Sequence, residues 1–237
     1  MQLKSACQNI LEKNKDVLTI ILTGSRARGD FKEESDYDLM FITRKGKKYS
    51  LENKYRSAIL KKANIDASVH LWPFSSYKKE YEKGNSFIYC ALRDGKILSS
   101  RHNLNEVLPD CKKAGVERIN LAKRNLEYLN FKSKFNRKLR FKENRIWGFE
   151  LEELGYTSMH LCWGICMLNR FCPISKYTAL NESKKFFSEK EFKAIKKSYR
   201  FYSHPDFLKK INKKTFTNLH KSLNLIVRRI KRKHNIE

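Results

Sequence analysis

The chain has 237 residues and a formal net charge of +26, with 51 Lys and Arg against 25 Asp and Glu. That length holds one large domain or two small ones, and no stretch reaches the roughly 18 consecutive apolar residues of a membrane-spanning helix, so no membrane association is expected. The polar start MQLKSACQNILEKN is unlike a secretory signal, and the six Cys at 7, 90, 111, 162, 166 and 172 contain no C-x-x-C pair, which points to reduced, buried thiols in a cytoplasmic protein rather than a zinc site or a disulfide framework.

Leu3, Cys7, Ile10 and Leu11 fall on one helical face, which predicts a first helix packed on a sheet. Residues 17–22, VLTIIL, read as a buried strand. Gly24 and Ser25 interrupt it, and a Gly there lets the backbone turn sharply so that the following amides face an anion. A short helix begun at this point adds the partial positive charge of its N-terminus. Ten residues separate Ser25 from Asp36, where the run DYDLMFI predicts a second strand. Side chains alternate along a strand, so Asp36 and Asp38 share one face. Two adjacent carboxylates repel each other, and the usual compensation is a hard divalent cation such as Mg²⁺, which also carries phosphates. The plainer reading is a tight hairpin whose acids face water, and the apolar strands on both sides argue against it. A helix over residues 51–63 follows, then an alternating strand over 65–72 that sets Asp66, Ser68 and His70 on one face, with His70 read as a polar face residue. Residues 75–83 predict a polar helix or turn and 86–92 an apolar helix. Asp94 and Gly95 turn the chain into a short strand at 96–98.

The string TGSRARGD…SDYDL, with its hydrophobic-G-S, ten-residue gap and D-x-D in an apolar strand, resembles the minimal nucleotidyltransferases of the DNA polymerase β superfamily. The resemblance spans about residues 1–100. It implies an α+β fold, a small mixed sheet with flanking helices, and transfer of a nucleoside monophosphate from a nucleoside triphosphate, ATP by default, with release of pyrophosphate. It implies Asp36 and Asp38 as metal ligands bridging two Mg²⁺ ions, and a third carboxylate on a strand after a helix, a role that falls to Asp66. Gly24 and Ser25 then hold the β- and γ-phosphates. Arg26 or Arg28 neutralises the pyrophosphate. The two Arg lie two apart and diverge on a helix, so one of them is structural, and the sequence does not say which.

Beyond residue 103 the strand patterns give way to helical periods. Ile119, Ala122, Leu126 and Leu129 mark one helix, which the pattern extends through Leu139. Residues 147–172 read as a central buried helix in which Cys162, Cys166 and Met167 fill the core. Ser188-x-x-Glu191 fits a capping box opening a helix through Tyr202. Residues 216–232 form a last amphipathic helix with Leu219, Leu223, Ile226 and Ile230 inward, and its terminal RRIKRK suits the helix dipole. The expected domains are therefore a nucleotidyltransferase domain at 1–102 and a basic all-α helical bundle at 103–237.

Charge is uneven. Residues 1–100 hold 19 Lys and Arg against 12 Asp and Glu, leaving 32 against 13 for the remainder. RNA is the partner expected for such a basic half, through Lys134, Arg137, Lys138 and Arg140 interleaved with Phe residues. The helical half resembles HEPN-type domains or the C-terminal domains of antibiotic nucleotidyltransferases. A second function class follows from the first of these: a nucleic-acid-binding or HEPN-like ribonuclease of toxin–antitoxin type, with a structural nucleotidyltransferase domain. Arg229 and His234, with four residues between them, satisfy the HEPN spacing, as do Arg228 and His234. The acceptor hydroxyl, on a protein, an RNA or a small molecule, and the oligomeric state are not legible.

Overall fold

A computed structural model of the chain describes residues 2–33, 35–44, 49–101, 110–135, 148–173, 175–203 and 213–237. Its contacts separate two compact units, Met1–Asp110 and Cys111–Glu237. The boundary expected after residue 102 falls at a stretch, 102–109, that lies outside the described residues.

The first unit is built on a four-stranded mixed sheet, β1 Val17–Thr23, β2 Tyr37–Thr43, β3 Ala67–Pro73 and β4 Lys96–Ser100, in the order β3-β2-β1-β4. β1 pairs antiparallel with β2 and with β4, whereas β2 and β3 are parallel. A parallel pair needs a crossover, here the helix α3 Tyr49–Ala63. That helix and α1 Gln2–Lys13 cover one face of the sheet. Cys7, Ile10 and Leu11 of α1 and Tyr55 and Ile59 of α3 bury Ile20, Leu22, Leu39, Phe41, Val69 and Leu71 there. On the other face Tyr77 of α4 Phe74–Glu82, with Ile88 and Ala91 of α5 Ser86–Asp94, covers Leu18, Ile21, Met40 and Ile42. A register irregularity between Val17 and Thr19 lets Val17 and Ile20, three apart, share a face. The alternation of β2 puts Asp38 on the α5 side, at the strand end left open by that packing. The short helix α2 Gly24–Arg28 stands between β1 and β2. β3 begins one residue after Asp66, not at Ile65 as the alternation suggested, because Asp66 turns to an arginine of α3.

The second unit is all-helical: α6 Cys111–Phe135, α7 Gly148–Leu168, α8 Lys176–Ser183, a 3₁₀ turn Lys184–Phe186, α9 Glu189–Ser203 and α10 Lys213–Lys233. α7 packs on α6, α8, α9 and α10 and buries Leu151, Leu154, Leu161, Cys162, Ile165, Cys166 and Met167. Its crossing with α6 is close enough that a Cβ on Gly164 would meet Ile119 Cδ1 at 2.6 Å. The central helix stops at Leu168, before Pro173, because Arg170 takes a left-handed φ of 60° and returns the chain toward α6. That return brings Cys172 to Cys111, with Cα atoms 6.9 Å apart and a disulfide between them. The expectation of six reduced thiols is thereby corrected, and Cys7, Cys90, Cys162 and Cys166 remain free. α8 had no counterpart in the sequence reading.

Candidate active site

The end of β1 and the start of β2 form the site. Thr23 and Asp38 are register partners, and the Thr23 hydroxyl donates to the Asp38 carbonyl at 3.2 Å. Gly24 follows with φ +71°, a backbone that L side chains rarely adopt. A Cβ at Gly24 would lie 2.5 Å from Asp38 Oδ2, so the carboxylate occupies the space that any other residue would fill. Gly24 is therefore needed twice, for its φ and for this close approach. Gly29 closes α2 in the left-handed region at φ +87°, its N–H donating to the Ser25 carbonyl. Ser25 is half-buried, and its hydroxyl has no hydrogen bond among the described residues.

Asp38 is half-buried, and Asp36 lies exposed just ahead of the strand. Burial raises the Asp38 carboxyl above the ordinary carboxylate value. The neighbouring Asp36 adds to the rise, while the charges of His70 and Arg28 oppose it. Such a carboxylate pair, oxygen-only and mutually repelling, has the chemistry of a hard-cation site. The parallel register opposes Ser68 to Asp38 and His70 to Met40 on the same face. The ring of His70 stands edge-on to Phe87, 5.8 Å between centroids, and Phe87 stacks on Trp72.

The two arginines of α2 are used differently. Arg26 is a clamp on the connection to β2: Nε donates to the Ser35 carbonyl at 3.1 Å, and Nη2 donates to the carbonyls of Ser35 and Glu33 at 2.9 and 2.8 Å. Its guanidinium also lies over the rings of Phe31 and Tyr37, 4.2 and 4.6 Å from their centroids. Arg28 instead pairs with Asp30 at 3.1 Å and is near enough to lower the proton affinity of Asp38.

Asp66 does not join the pair. Its carboxylate accepts two hydrogen bonds from Arg56 of α3, both 2.6 Å, which hold it below the usual carboxylate range. Among the described residues, no group of three or more His, Cys, Asp or Glu is gathered as a metal site. Nothing in the sequence marked Arg56 as the partner of Asp66. Asp94, read as a turn residue, carries an ion pair with Arg93. Of the expected nucleic-acid contacts, Lys134 lies near the end of α6 with its side chain undescribed, and Arg137, Lys138 and Arg140 lie outside the described residues.

A mixed sheet with a Gly-Ser turn set against a D-x-D strand defines a polymerase β-like nucleotidyltransferase. Residues 5–103 match the family model described as Polymerase beta, Nucleotidyltransferase, so the first unit is such a domain and the chain is a nucleotidyltransferase. No curated protein matches the chain. Among solved structures it is similar to the spectinomycin adenyltransferase AAD(9) from Enterococcus faecialis, crystallised with ATP and spectinomycin. The TM-score is 0.54 at 16% identity, covering 96% of this chain and 97% of that one. A nucleotidyltransferase-like protein from Exiguobacterium sibiricum is matched at a TM-score of 0.37 and 12% identity, over 95% of this chain and 74% of that one.

Proposed function

We propose that the chain transfers AMP from ATP to a hydroxyl of a small-molecule acceptor. The observation that carries the reading is the fit of Gly24 against the Asp38 carboxylate, with Asp36 beside it. Asp36 and Asp38 hold the divalent cations. Two Mg²⁺ ions bound there would neutralise the triphosphate and make the acceptor hydroxyl more acidic. The acceptor oxygen bonds to the α-phosphorus as the bond to the pyrophosphate oxygen breaks. The Ser25 hydroxyl and the amides of Gly24 and Ser25 bind the outgoing phosphates, in keeping with the unpaired Ser25 side chain. The pyrophosphate charge falls to Arg28, since Arg26 is committed to the 29–36 connection.

The role of Asp66 is proposed as third carboxylate and proton acceptor. Support comes from the register, since Tyr37 opposes Ala67 and the preceding residues of the two strands are Asp36 and Asp66. The ion pair to Arg56 is more than half exposed on both sides, where solvent screens it, so a cation would displace it at little cost.

A small-molecule acceptor is favoured by the fold likeness to the spectinomycin adenyltransferase, which runs through the helical half of the chain. A cytoplasmic site of action is part of the proposal. It suits an ATP-consuming reaction, and the Cys111–Cys172 disulfide is the observation against it. The ribonuclease reading loses one of its two arginines, since Arg229 donates from Nε and Nη2 to the Glu191 carboxylate at 2.7 and 3.1 Å, and keeps only the pair Arg228 and His234. The test uses ATP labelled at the α- or the γ-phosphate, with Mg²⁺ and a cell extract divided into small-molecule, protein and RNA fractions. We expect a new α-labelled small molecule distinct from ATP and AMP, the γ-label leaving in pyrophosphate and absent from that product, and no such product with Asp38→Asn. No transfer in any fraction, or transfer undiminished in Asp38→Asn, overturns the reading.

A further inference from the structure

α10 has two faces of different character. Leu219, Leu223, Ile226, Val227 and Ile230 are buried in the helical unit. Positions 214, 218, 221, 225, 228 and 232 are all exposed, and their spacing of four and three alternately is that of a single stripe on a helix. Four of the six are Lys or Arg. The whole helix, KKTFTNLHKSLNLIVRRIKRK, carries eight Lys and Arg and no Asp or Glu. Eighteen steps of about 1.5 Å each make the stripe about 27 Å long.

Among the described residues, the cations of the stripe itself have no acidic partner. Arg229 is held by Glu191, and Lys231 donates to Asn120. Lys214, Lys221, Arg228, Arg232 and Lys233 make no hydrogen bond or ion pair among the described residues. An open groove of about 550 Å³ runs along the C-terminal turns, lined by Leu225, Arg228, Arg229, Arg232 and Lys233. A favourable dipole accounts for cations in the last turn of a helix, but its effect fades within that turn and does not reach Lys214, Lys221 or Arg228.

We propose that this face of α10 binds the phosphate backbone of single-stranded RNA. One row of like charges along a straight element matches one backbone of regularly spaced phosphates, and the Arg forks suit phosphate oxygens. The single row favours one strand over a duplex, whose two backbones ask for two. An anionic membrane fits less well, because a surface helix needs a free apolar face and that of α10 is spent on the core, with Leu225, 65% exposed, as the one apolar residue of the stripe. The stripe has no aromatic residue to stack on bases, so the binding is blind to sequence. The inference rests on α10 alone and is independent of the transfer reaction.

The test is a titration of the full chain, without nucleotide, against a fluorescein-labelled 20-nucleotide oligouridylate at salt from 50 to 200 mM. Five phosphate contacts predict a log K slope of about −3.5 against log salt, a weakening of roughly a hundredfold over that range. The variant Lys221→Gln/Arg228→Gln/Arg232→Gln removes three contacts and should flatten the slope by about 2. A charge-matched variant on α3, Lys54→Gln/Lys61→Gln/Lys62→Gln, should leave the slope unchanged. All six side chains are exposed, and circular dichroism checks that both variants fold. No binding at 50 mM salt, or equal slopes for the two triple variants, overturns the proposal. So does poly-glutamate, or a vesicle of anionic lipid, binding as tightly as the RNA.

Discussion

Replacing Gly24 by Ala tests the site at its tightest point. Two costs arise. An L side chain at φ +71° costs about 1–2 kcal/mol. The new Cβ would also lie 2.5 Å from Asp38 Oδ2, closer than real Cβ contacts come, and overpacking of this kind costs about 1–3 kcal/mol. Gly29→Ala is the matched control, since its φ is +87° with nothing within 4 Å of an added Cβ, so it meets the backbone cost alone. Gly24→Ala should therefore be less stable than Gly29→Ala by about 1–3 kcal/mol, near 4–8 °C in melting temperature per kcal/mol for a domain of about 100 residues. If the Asp38 carboxylate gives way instead, stability recovers but a catalytic ligand is misplaced, and a shift of about 1 Å can cost a hundredfold in rate. Thermal melts and the α-label transfer assay on both variants read the two channels. The reasoning is refuted if Gly24→Ala matches Gly29→Ala in both melting temperature and turnover.

Asp38→Asn should abolish transfer yet melt higher than the parent at pH 7. Burial raises the folded-state pKa of Asp38, so its ionised form weighs on the folded state above that pKa, and the gap between variant and parent should close as pH falls through the carboxylate range. A gap that widens on acidification contradicts this sign. Arg26→Gln loses bonds to two backbone carbonyls and should destabilise by about 1–3 kcal/mol. Arg28→Gln should hold its stability within about 1 kcal/mol while raising KM for ATP, and denaturant melts with steady-state kinetics separate the two. Asp66→Asn should lose most of the rate, whereas Arg56→Gln should lose little, and both should melt close to the parent because the pair is exposed. Equal activity in the two variants removes Asp66 from the mechanism.

What the sequence disclosed is what depends on local pattern. The alternation of residues 36–42 returned β2, and the 3.6-residue periods returned α1, α3 and α10 with their buried faces. The capping box at Ser188 and Glu191 is present in full: Glu191 Oε2 accepts from the Ser188 amide at 2.9 Å, and Ser188 Oγ accepts from the Glu191 amide at 3.3 Å. The helix α8, KYTALNES, was missed because its apolar residues are too few to set a period, and its start is marked by one Ser175 cap. The Cys111–Cys172 bond joins residues 61 apart and depends on the turn at Arg170, which no spacing rule encodes. Glu191 shows the same limit, since its capping role was legible and its grip on Arg229, from another helix, was not.

Arg26 and Arg28 show how the fold divides work between two residues of one kind. A five-residue helix turns them about 200° apart. One then meets the carbonyls of the 29–36 connection, and the other meets the face that carries Asp38. The clamp by Arg26 restrains the segment ahead of β2, so it acts on the position of Asp36 and Asp38 without touching either. Asp66 stands at the opposite extreme, held by one exposed pair with Arg56. Asp38 is fixed by backbone register with Thr23 and by the missing Cβ of Gly24, whereas Asp66 is held by an exposed pair. On the proposed mechanism, Asp38 would be set in advance and Asp66 recruited when a cation displaces the guanidinium of Arg56. That order of events would suit a carboxylate pair whose repulsion His70 and Arg28 offset only in part, since Asp38 stays raised in spite of them.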